Sequence, residues 1–445
     1  MRRQVIGLAA ALAMTPFGAR GADLVVWWDQ GFYAEEDQAV RDMVAAFESE
    51  TGEAVELVFV PQWELEGKLE AALRTGSPPD LARGGPCCMR TDRWAAAGLL
   101  ADLSDVVLPI RHRFFPGLLE YTFLPNLTTG EPTPYSVPLG QFGFYIHVWK
   151  SLLNEAGFRL DDIPTEWEPF WSFWCERVQP ALRNALGRDN LWGIGLAMSP
   201  DASDTADGIE QFMIANSAYL SGASSSSLDD PAFQRNFVKS IDGYTTIYRK
   251  GCTPPDALSW KNPDNNKAFL EQRVAMTINT TLSIPGALRL SRPEDYYERT
   301  ATIGWPEGPD GRISPLLIGF VEAVVFQQGQ NVEEAKRFLR FLLDEDWLGA
   351  SLEAAEGRYL PMMVEQIGTP FWADPSDPHR RPALEQLAVP SIPGWGPIRR
   401  WQSNWDTVQP SEVLAQTVHR VVAEGIAPDQ AVDEAIARIK QILGE

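Results

Sequence analysis

An apolar run followed by an amphipathic helix, repeated along the N-terminal part of the chain, constrains the fold more than any other feature. The run "ADLVVWW" is apolar almost throughout, which is typical of a strand buried on both faces of a sheet. Apolar residues then recur at helical spacing: Ala39, Val40, Met43, Val44 and Phe47. Gly52 lies where a helix C-cap is expected, and the same order returns through "AVELVFV" and "PPDLA". Repeated β-α units predict an α/β fold, with a parallel sheet and helices on both of its faces.

The strand ends of such a sheet are the expected ligand-binding positions, because open α/β sheets bind ligands beyond the carboxyl ends of their strands. Trp28-Asp29-Gln30 follow the first predicted strand, and the segment from Arg83 to Cys88 follows the third. The chain has 445 residues, too many for one hydrophobic core, so we expect at least two lobes. A Pro-marked segment before a strand at about Phe142–Val148 is a candidate crossing between them.

The charge of the chain argues against two classes of partner. The formal net charge is −22 and the sequence pI is about 4.7. Nucleic-acid binding depends on Lys and Arg side chains that neutralise phosphates, so we expect no nucleic-acid partner. An anionic membrane surface is disfavoured for the same reason.

The N-terminal segment "MRRQVIGLAAALAMTPFGARGAD" has the pattern of a secretory signal peptide. Arg2 and Arg3 precede a short apolar stretch, and small residues follow it. The stretch is too short and wrongly flanked for a membrane span. We expect cleavage after Gly21 or Ala22, so that residues 1–22 are a leader and the mature chain is exported to the periplasm.

The four cysteines support one disulfide prediction. In an oxidising compartment we expect Cys175 and Cys252 to form a stabilising bridge. Cys87 and Cys88 are adjacent, where a mutual bridge would be strained, so they are expected as small buried side chains. The four histidines stand apart along the sequence, and no metal or cofactor site is predicted.

The sequence lacks the motifs of the common enzyme classes. It contains no G-x-S-x-G elbow, no glycine-rich phosphate-binding loop of either common type and no H-E-x-x-H helix. A carboxylate pair of the glycosidase type stays open, because the separation of Asp and Glu side chains cannot be read from sequence. The missing motifs favour a binding protein over an enzyme.

Aromatic residues at loop positions are the remaining chemical signal. Sugars present C–H faces that stack on Trp and Tyr, and hydroxyls that bond to Asp, Gln, Asn and Arg side chains. Trp28 with Asp29 and Gln30 fits this pattern. A late Pro-marked segment, "PSIPGWGPIRRWQSNWD", adds three more candidates: Trp395, Trp401 and Trp405.

Other tryptophans are expected to be structural. Trp27 and Trp28 alternate along a strand, so one of them should pack on the sheet, and Trp28 is assigned to the ligand side. Trp167, Trp171 and Trp174 recur at helical spacing and are predicted as buried packing residues.

The order of these features resembles the family 1 extracellular solute-binding proteins of bacterial ABC importers, the maltose-binding-protein-like group. Members carry a strand like "LVVWWDQG", a helix ending in F-x-x-x-T-G and then a strand, which match "FESETGEAVELVFV" here. Further matches are "PPDLA" with "AAAGLLADL", "YSVPLGQFGFYIHVWKSLLNEAGF" at the first crossing, "VAMTINTT" at the second, and "NVEEAKRFLRFLLDEDW" in the helix after the third. The similarity covers nearly all of the mature chain.

The resemblance implies a two-lobed periplasmic-binding-protein fold, with discontinuous lobes that each hold a central, mostly parallel sheet flanked by helices and are joined by a multi-segment hinge. It assigns residues 23–136 and 280–330 to the N-terminal lobe and residues 137–279 and 331–445 to the C-terminal lobe. Together with the strand-end and aromatic arguments, it gives the following candidate ligand contacts: Trp28, Asp29, Gln30, Phe32, Arg83, Cys87, Gln141, Asp201, Asn279, Thr280, Trp395, Trp401 and Trp405. "GGPCC" replaces the more usual aromatic or acidic loop, and Leu282 stands where the best-known sugar binders have a Trp.

The expected function is that of a monomeric periplasmic receptor that captures a sugar or polyol and delivers it to the permease of an ABC importer, without catalysis. A receptor for a phosphorylated or anionic solute, such as a glycerophosphate, is the first alternative, because Arg83 and Arg90, or Arg399 and Arg400, could clamp a phosphate. A secreted carbohydrate-active enzyme with an Asp/Glu pair in the same cleft is the second.

Overall fold

The computed structural model describes residues 22–85, 88–126, 128–218, 228–344, 346–387, 391–393 and 410–443. The strands within these ranges are β1 Leu24–Asp29, β2 Val55–Val60, β3 Leu81–Gly84, β4 Phe123–Pro125, β5 Pro132–Pro134, β6 Val137–Gly143, β7 Tyr145–Trp149, β8 Trp192–Gly195, β9 Val274–Asn279, β10 Thr300–Ile303, β11 Leu316–Val325 and β12 Ser391–Pro393. The helices are α1 Ala34–Thr51, α2 Gln62–Thr75, α3 Thr91–Ala96, α4 Ser104–Val107, α5 Lys150–Glu155, α6 Trp167–Ser172, α7 Gln179–Leu186, α8 Ser203–Ala215, α9 Pro231–Arg249, α10 Asp264–Leu270, α11 Ser283–Ser291, α12 Val332–Asp344, α13 Trp347–Ala354, α14 Arg380–Gln386, α15 Pro410–Ala423 and α16 Pro428–Leu443.

The β-α order predicted at the N-terminus is confirmed. α1 ends at Gly52, whose φ of 76° lies in the left-handed region that glycine adopts without strain, and its N–H donates to the Glu48 carbonyl. α2 ends in the same way at Gly76, with a φ of 71°. The apolar stripe of α1 that was predicted to face the core is buried, including Val40, Met43 and Phe47.

The larger sheet defines what we call the N-terminal lobe. Its strand order is β12-β11-β3-β1-β2, and β6 also pairs with β11. β1 runs parallel to β2 and β3, whereas β11 runs antiparallel to β3 and to β6. The predicted parallel βαβ arrangement is therefore present in β1, β2 and β3, and β6 runs in the same direction as these strands.

The smaller sheet, of order β10-β7-β9-β8, defines the C-terminal lobe. β8 is parallel to β9, but β7 is antiparallel to both β9 and β10. The expectation of a mostly parallel sheet therefore holds for β8, β9 and β10, which share one direction, and is wrong for β7. The reason is that β7 enters directly from the other lobe without a crossover helix, so its direction is set by β6.

The directions of the strands make the carboxyl edges of both sheets face each other. β6 ends at Gly143, at the same edge as the ends of β1 and β3, and β7 begins at Tyr145 on the other side of a single residue, Phe144. Since β8, β9 and β10 run against β7, their carboxyl ends also lie at this junction. A cleft bounded by two carboxyl edges is the position that the strand-end rule assigns to the ligand.

Each sheet has its own hydrophobic core. One large cluster contains Trp149, Trp174 and Phe237 on the C-terminal lobe, and another contains Phe47, Val325 and Phe338 on the N-terminal lobe. Trp167, Trp171 and Trp174 are buried in the first of these, which confirms their prediction as packing residues.

The sheets and cores place several segments in another lobe than the predicted boundaries, which remain a prediction. α11, expected in the N-terminal lobe, buries Ile284 and Leu288 in the core of the smaller sheet, whereas β12 and α13, expected in the C-terminal lobe, lie with the larger sheet. β6, expected in the C-terminal lobe, pairs in the larger sheet, because the crossing lies after it at Phe144. β10, expected in the N-terminal lobe, pairs with β7, so the return crossing lies between β10 and β11. α12, expected in the C-terminal lobe, buries Phe338, Leu339 and Leu342 in the core of the larger sheet.

The predicted disulfide is present between Cys175 and Cys252, whose Cα atoms lie 5.0 Å apart. Cys88 is buried, and its thiol donates to the Gly85 carbonyl over 3.3 Å. In the part of the chain that the structure describes, none of the helices combines the length and the apolar character that crossing a membrane would require.

Candidate functional site

A buried ion pair lies where β1 and β3 end. The register that pairs Trp28 with Arg83 brings the Arg83 guanidinium beside the last residue of β1, Asp29. Arg83 Nη1 donates to Asp29 Oδ1, and the two residues are 8% and 1% exposed. The guanidinium carbon also lies 5.2 Å from the centroid of the Trp28 ring and 5.4 Å from that of Tyr359. The pair is thus enclosed by two aromatic rings.

A second buried ion pair continues this polar layer. Arg358 Nη2 donates to Glu36 Oε2 in the first turn of α1, and Arg358 Nη1 donates to the Tyr359 hydroxyl over 2.8 Å. Glu36 Oε1 in turn accepts the Phe32 N–H over 3.1 Å. The Arg358 guanidinium lies 4.3 Å from the centroids of both the Phe32 and the Tyr359 rings. Burial of Arg358 is tolerated because carboxylate, hydroxyl and ring faces surround its charge.

Several of these groups line a small, partly open cleft at the carboxyl edge of the larger sheet. Charged and aromatic side chains from β1, α1 and β3 form one part of the wall, and α13 with the residues after it forms the other. The lining residues are Trp28, Asp29, Gly31, Glu36, Asp37, Val40, Arg83, Leu139, Leu348, Ser351, Leu352, Ala355 and Tyr359. Asp37 is held in place by the Gly31 N–H, which donates to its Oδ1 over 2.9 Å.

The Asp29–Arg83 pair keeps unused hydrogen-bonding capacity. Asp29 Oδ2 and Arg83 Nε are both buried and have no hydrogen-bond partner, and the same is true of Arg358 Nε. A buried donor or acceptor without a partner costs roughly 1–3 kcal/mol, so such atoms are expected to be used. A hydroxyl group can accept from the guanidinium and donate to the carboxylate at once. The pair therefore retains one acceptor and one donor that a hydroxyl would suit.

The tyrosines of the cleft remain neutral donors. Burial raises the pKa of Tyr359 above its ordinary value, although the neighbouring Arg358 charge opposes the shift. Burial likewise raises the pKa of Tyr33. The pKa of Arg358 is raised, since Tyr359 and Glu36 outweigh the opposing effect of burial. Tyr359 and Arg358 thus keep their protons at neutral pH, and the Tyr33 hydroxyl does so while donating to the Ser283 carbonyl.

The carboxyl edge of the smaller sheet adds amides and a carboxyl. Asn279 ends β9, and its Nδ2 donates to the Thr281 carbonyl over 2.8 Å and to Ser283 Oγ over 3.0 Å. Asp204 is buried at the start of α8, where burial and, to a lesser extent, Asp207 raise its pKa well above the ordinary value. The Tyr33 hydroxyl, from the loop after β1, donates to the Ser283 carbonyl over 2.7 Å. The two carboxyl edges are therefore in direct contact at Ser283.

The structure brings together some of the predicted site residues. Trp28, Asp29 and Arg83 line the cleft, and Phe32 covers Arg358 at its rim with 53% of its surface exposed. Gln30 is exposed, and its backbone N–H donates to the Val60 carbonyl.

Other predicted residues lie elsewhere. Gln141 is buried, and its side-chain amide donates to the Pro361 carbonyl, so it is engaged in holding the segment after Tyr359. Asp201 is exposed on the turn before α8. Asn279 and Thr280 lie at the edge of the smaller sheet, the first buried and the second half-buried. Four predicted residues lie outside the described part of the chain: Cys87, Trp395, Trp401 and Trp405.

Sequence reasoning missed Glu36, Asp37, Arg358 and Tyr359. Glu36 and Asp37 look like ordinary acidic residues of a first helical turn, where the helix dipole favours them. Arg358 and Tyr359 reach the cleft from a turn after α13, far along the chain, and no motif marks them. Among the described residues there is no group of three or more His, Cys, Asp and Glu side chains that could hold a metal ion.

The sequence and the fold match known proteins of one class. A family model described as bacterial extracellular solute-binding protein matches residues 42–375. Because this match spans well over half of the chain, the protein belongs to the family of bacterial extracellular solute-binding proteins.

Individual relatives agree with this assignment. A protein of Brucella abortus (strain 2308), named as a candidate binding protein, is 25% identical over 412 residues, which cover 91% of this chain and 89% of that protein. An ABC transporter solute-binding protein of Thermotoga lettingae TMO, bound with alpha-D-tagatose, has a TM-score of 0.74 at 19% identity and covers 94% of this chain and 99% of its own. A maltose-bound protein of T. maritima, MalE3, has a TM-score of 0.74 at 16% identity, with 94% and 100% coverage. The two structures show that the fold is the two-lobed periplasmic-binding-protein fold, and these neighbours are binding proteins rather than enzymes.

Proposed function

We propose that this protein is the periplasmic receptor of an ABC importer and captures a carbohydrate or polyol in the cleft between its lobes. The observation that carries the proposal is the buried Asp29–Arg83 pair, which retains a spare acceptor and a spare donor beside the rings of Trp28 and Tyr359. Rings suit the C–H faces of a sugar, and the spare atoms suit its hydroxyls. The tagatose and maltose bound by two structural neighbours support the same ligand class.

Capture proceeds by closure of the lobes. A ligand that contacts both carboxyl edges binds the closed arrangement better than the open one, so its binding shifts the population toward closure. The closed protein, a monomer, then presents both lobe surfaces to the permease. No covalent step is involved, and the side chains of the cleft act only by hydrogen bonding and stacking.

A phosphorylated or anionic solute is less favoured. The arginines that could clamp a phosphate are engaged, Arg83 by Asp29 and Arg90 by Glu66, whose Oε2 lies 2.6 Å from Arg90 Nη2. The cleft and the polar layer beside it hold three carboxylates, Asp29, Glu36 and Asp37, against two guanidinium groups, those of Arg83 and Arg358. A phosphate entering the cleft would therefore meet net negative charge. Arg399 and Arg400 lie outside the described residues.

A thermal-shift screen of the purified mature protein tests the proposal. The panel contains maltose, D-tagatose, sorbitol and glycerol 3-phosphate, and at about 100 times its dissociation constant a ligand adds roughly 2.7 kcal/mol to stability. We expect a neutral compound to raise the melting temperature and glycerol 3-phosphate to leave it unchanged. The double variant Asp29→Ala/Arg83→Met should lose the shift, whereas Asp242→Ala, at an exposed ion pair, should keep it. No shift with any carbohydrate or polyol would contradict the proposal.

The enzyme alternative is tested on the same samples. Each panel sugar and a set of glycans is incubated with the protein and analysed for hydrolysis by chromatography. We expect the compounds to be recovered intact, and product formation that disappears in Asp29→Ala would replace the receptor proposal with a hydrolase.

Export is tested by the mass of the mature chain. Expression with the natural N-terminus in a bacterium should give periplasmic protein that begins at Ala22 or Asp23. β1 begins at Leu24, and the Asp23 N–H already donates to the Ala54 carbonyl, so cleavage at this point leaves the first strand intact. Retention of residues 1–21 in the periplasmic fraction would contradict the proposed leader.

A further inference from the structure

The turn "EGRY" at Glu356–Tyr359 has an unusual backbone. Glu356 has a φ of 54° and Gly357 a φ of 74°, so two consecutive residues are left-handed. This conformation costs little at glycine but of order 1 kcal/mol at a residue with a side chain. It makes the chain reverse within two residues after α13. As a result, neighbouring side chains of the turn point toward different parts of the molecule.

Two of these side chains belong to the N-terminal lobe. Arg358 pairs with Glu36, and Tyr359 lines the cleft and packs in the core of the larger sheet. Glu356 instead accepts a hydrogen bond from Arg289 Nη1, on α11. The side chains of this pair are 13% and 29% exposed, respectively, so the ion pair is partly shielded from water.

α11 belongs to the other lobe. It follows β9 of the smaller sheet, and its residues Ile284 and Leu288 are buried in the core of the C-terminal lobe. The Arg289–Glu356 pair therefore joins the two lobes. The Leu282 N–H also donates to the Arg358 carbonyl over 3.3 Å, which links the start of α11 to the same turn.

A second contact lies beside this pair. The Tyr33 hydroxyl donates to the Ser283 carbonyl over 2.7 Å at the first turn of α11. The approach depends on Gly286, because a Cβ atom there would lie 2.6 Å from the Tyr33 hydroxyl and 3.2 Å from the Glu356 Cβ. These two interlobe contacts thus meet on one face of α11, and we call Tyr33, Ser283, Gly286, Arg289 and Glu356 the clasp.

We propose that the clasp holds the lobes in the closed arrangement and that Glu356 and Arg289 are positioning residues for ligand capture. The proposal rests on the receptor function proposed above, since closure has a role only in a protein that encloses its ligand. The turn that carries Glu356 also carries Arg358 and Tyr359, so a ligand that contacts Tyr359 stabilises the backbone that presents Glu356 to α11. The clasp thereby couples occupation of the cleft to closure without touching the ligand.

The first test needs no ligand. Small-angle scattering of the ligand-free mature protein gives the radius of gyration of wild type, Arg289→Gln, Glu356→Gln and the control Arg292→Gln. Arg292 stands next to α11, but its ion pair with Asp295, at 3.2 Å, lies within the C-terminal lobe. We expect a larger radius for Arg289→Gln and Glu356→Gln, and an unchanged radius for Arg292→Gln. The reciprocal exchange Arg289→Glu/Glu356→Arg should restore the wild-type radius.

A second variant opens the clasp without removing a charge. Gly286→Ala improves the intrinsic helix propensity of α11, yet its methyl group must displace the Tyr33 hydroxyl. We expect a larger radius of gyration with an unchanged or higher melting temperature, a combination that a general loss of stability would not produce. A wild-type radius in all clasp variants would overturn the proposal.

Ligand-binding measurements distinguish a failure of the clasp from a failure of the proposed receptor function. Calorimetric titration uses whichever of maltose, D-tagatose or sorbitol shifts the wild-type melting temperature. Arg289→Gln should bind it roughly five-fold more weakly, as expected for the loss of a partly exposed ion pair, and Arg292→Gln should bind it as wild type does. Equal affinity in all variants would overturn the clasp and leave the receptor function standing. If no probe binds wild type, the receptor function fails, while the scattering result still decides whether the clasp holds the lobes together.

Discussion

At Asp29 folding has removed a carboxylate almost completely from water, and Arg83 supplies the compensating charge. Removing one partner of a buried pair leaves the other charge uncompensated, which typically costs about 3–5 kcal/mol, whereas removing both often costs less. We expect Asp29→Ala to lower the free energy of unfolding by about 3 kcal/mol. The double variant Asp29→Ala/Arg83→Met should regain part of this loss, because Met keeps apolar contact with Trp28.

Urea denaturation measures both variants, with Asp242→Ala as the control. Asp242 pairs with Arg249 on an exposed face of α9, and such pairs contribute about 0–1 kcal/mol. If the double variant were less stable than Asp29→Ala alone, the account of Asp29 and Arg83 as mutually compensating charges would be wrong.

His147 gives the fold a specific sensitivity to acid. It is fully buried, with Nδ1 2.9 Å from Thr302 Oγ1, and burial lowers its pKa from 6.5 to about 4. Between these values the unfolded chain binds a proton that the fold does not, so stability is present above pH 6.5 and is lost as the pH falls toward 4. The difference corresponds to about 3 kcal/mol. His379, whose ring lies 6.3 Å away and whose pKa burial lowers well below normal, should add to this loss.

Denaturation at a series of pH values from 7 to about 4 tests this dependence. The variant His147→Gln, whose side chain does not titrate, should show a shallower decline over this range than the wild-type protein. The nearby positive charges of Lys150 and Arg380 contribute, after burial, to the lowered pKa of His379. An identical pH profile for wild type and variant would show that His147 is not the source.

At the scale of elements, the sequence was most informative where local signals and burial agree. β1, α1 and β2 follow from a buried apolar run, a helical stripe and a glycine cap, all local to the segment. Asp29 and Arg83 were predicted as candidates for the same edge because parallel neighbours end together. The direction of β7 was predicted wrongly, since it depends on the strand that precedes it in the other lobe. Arg358 and Tyr359 were missed as site residues because a turn with two left-handed residues brings them to the cleft from a distant part of the sequence. Such long-range placement leaves no periodic pattern in the sequence.

The disulfide is the second element-scale feature with a measurable consequence. Cys175 lies in the π-helical stretch Phe173–Val178 and Cys252 follows α9, with a sequence separation of 77 residues. A loop of this length implies roughly 4 kcal/mol of stabilisation, chiefly through the unfolded chain. We expect Cys175→Ser/Cys252→Ser to lose about this much in urea denaturation, and reduction of the wild-type protein to have the same effect. A loss below about 1 kcal/mol would mean that strain or residual structure cancels the gain.

At the scale of the whole molecule, two lobes are joined by the short passage from β6 to β7, the return from β10 to β11 and side-chain contacts, among them those around α11. Each core buries its own cluster, and the disulfide lies entirely in that of the C-terminal lobe, where Cys252 is buried and Cys175 packs against the cluster. Local openings in such a protein are expected to follow these units rather than spread evenly. The two stability variants described above should therefore perturb different halves of the molecule.

Hydrogen exchange read by mass spectrometry distinguishes these halves. Cys175→Ser/Cys252→Ser should speed exchange in α7 and α9 and leave α1 and α12 at wild-type rates, because both of its sites lie in the C-terminal core. Asp29→Ala should speed exchange in α1 and α12 and leave α7 and α9 at wild-type rates. The Arg83 charge that this substitution leaves without a partner lies in the N-terminal lobe. Faster exchange throughout both lobes in either variant would mean that the molecule opens as one unit. In that case the clasp and the crossing strands would couple the lobes as strongly as each core couples its own helices.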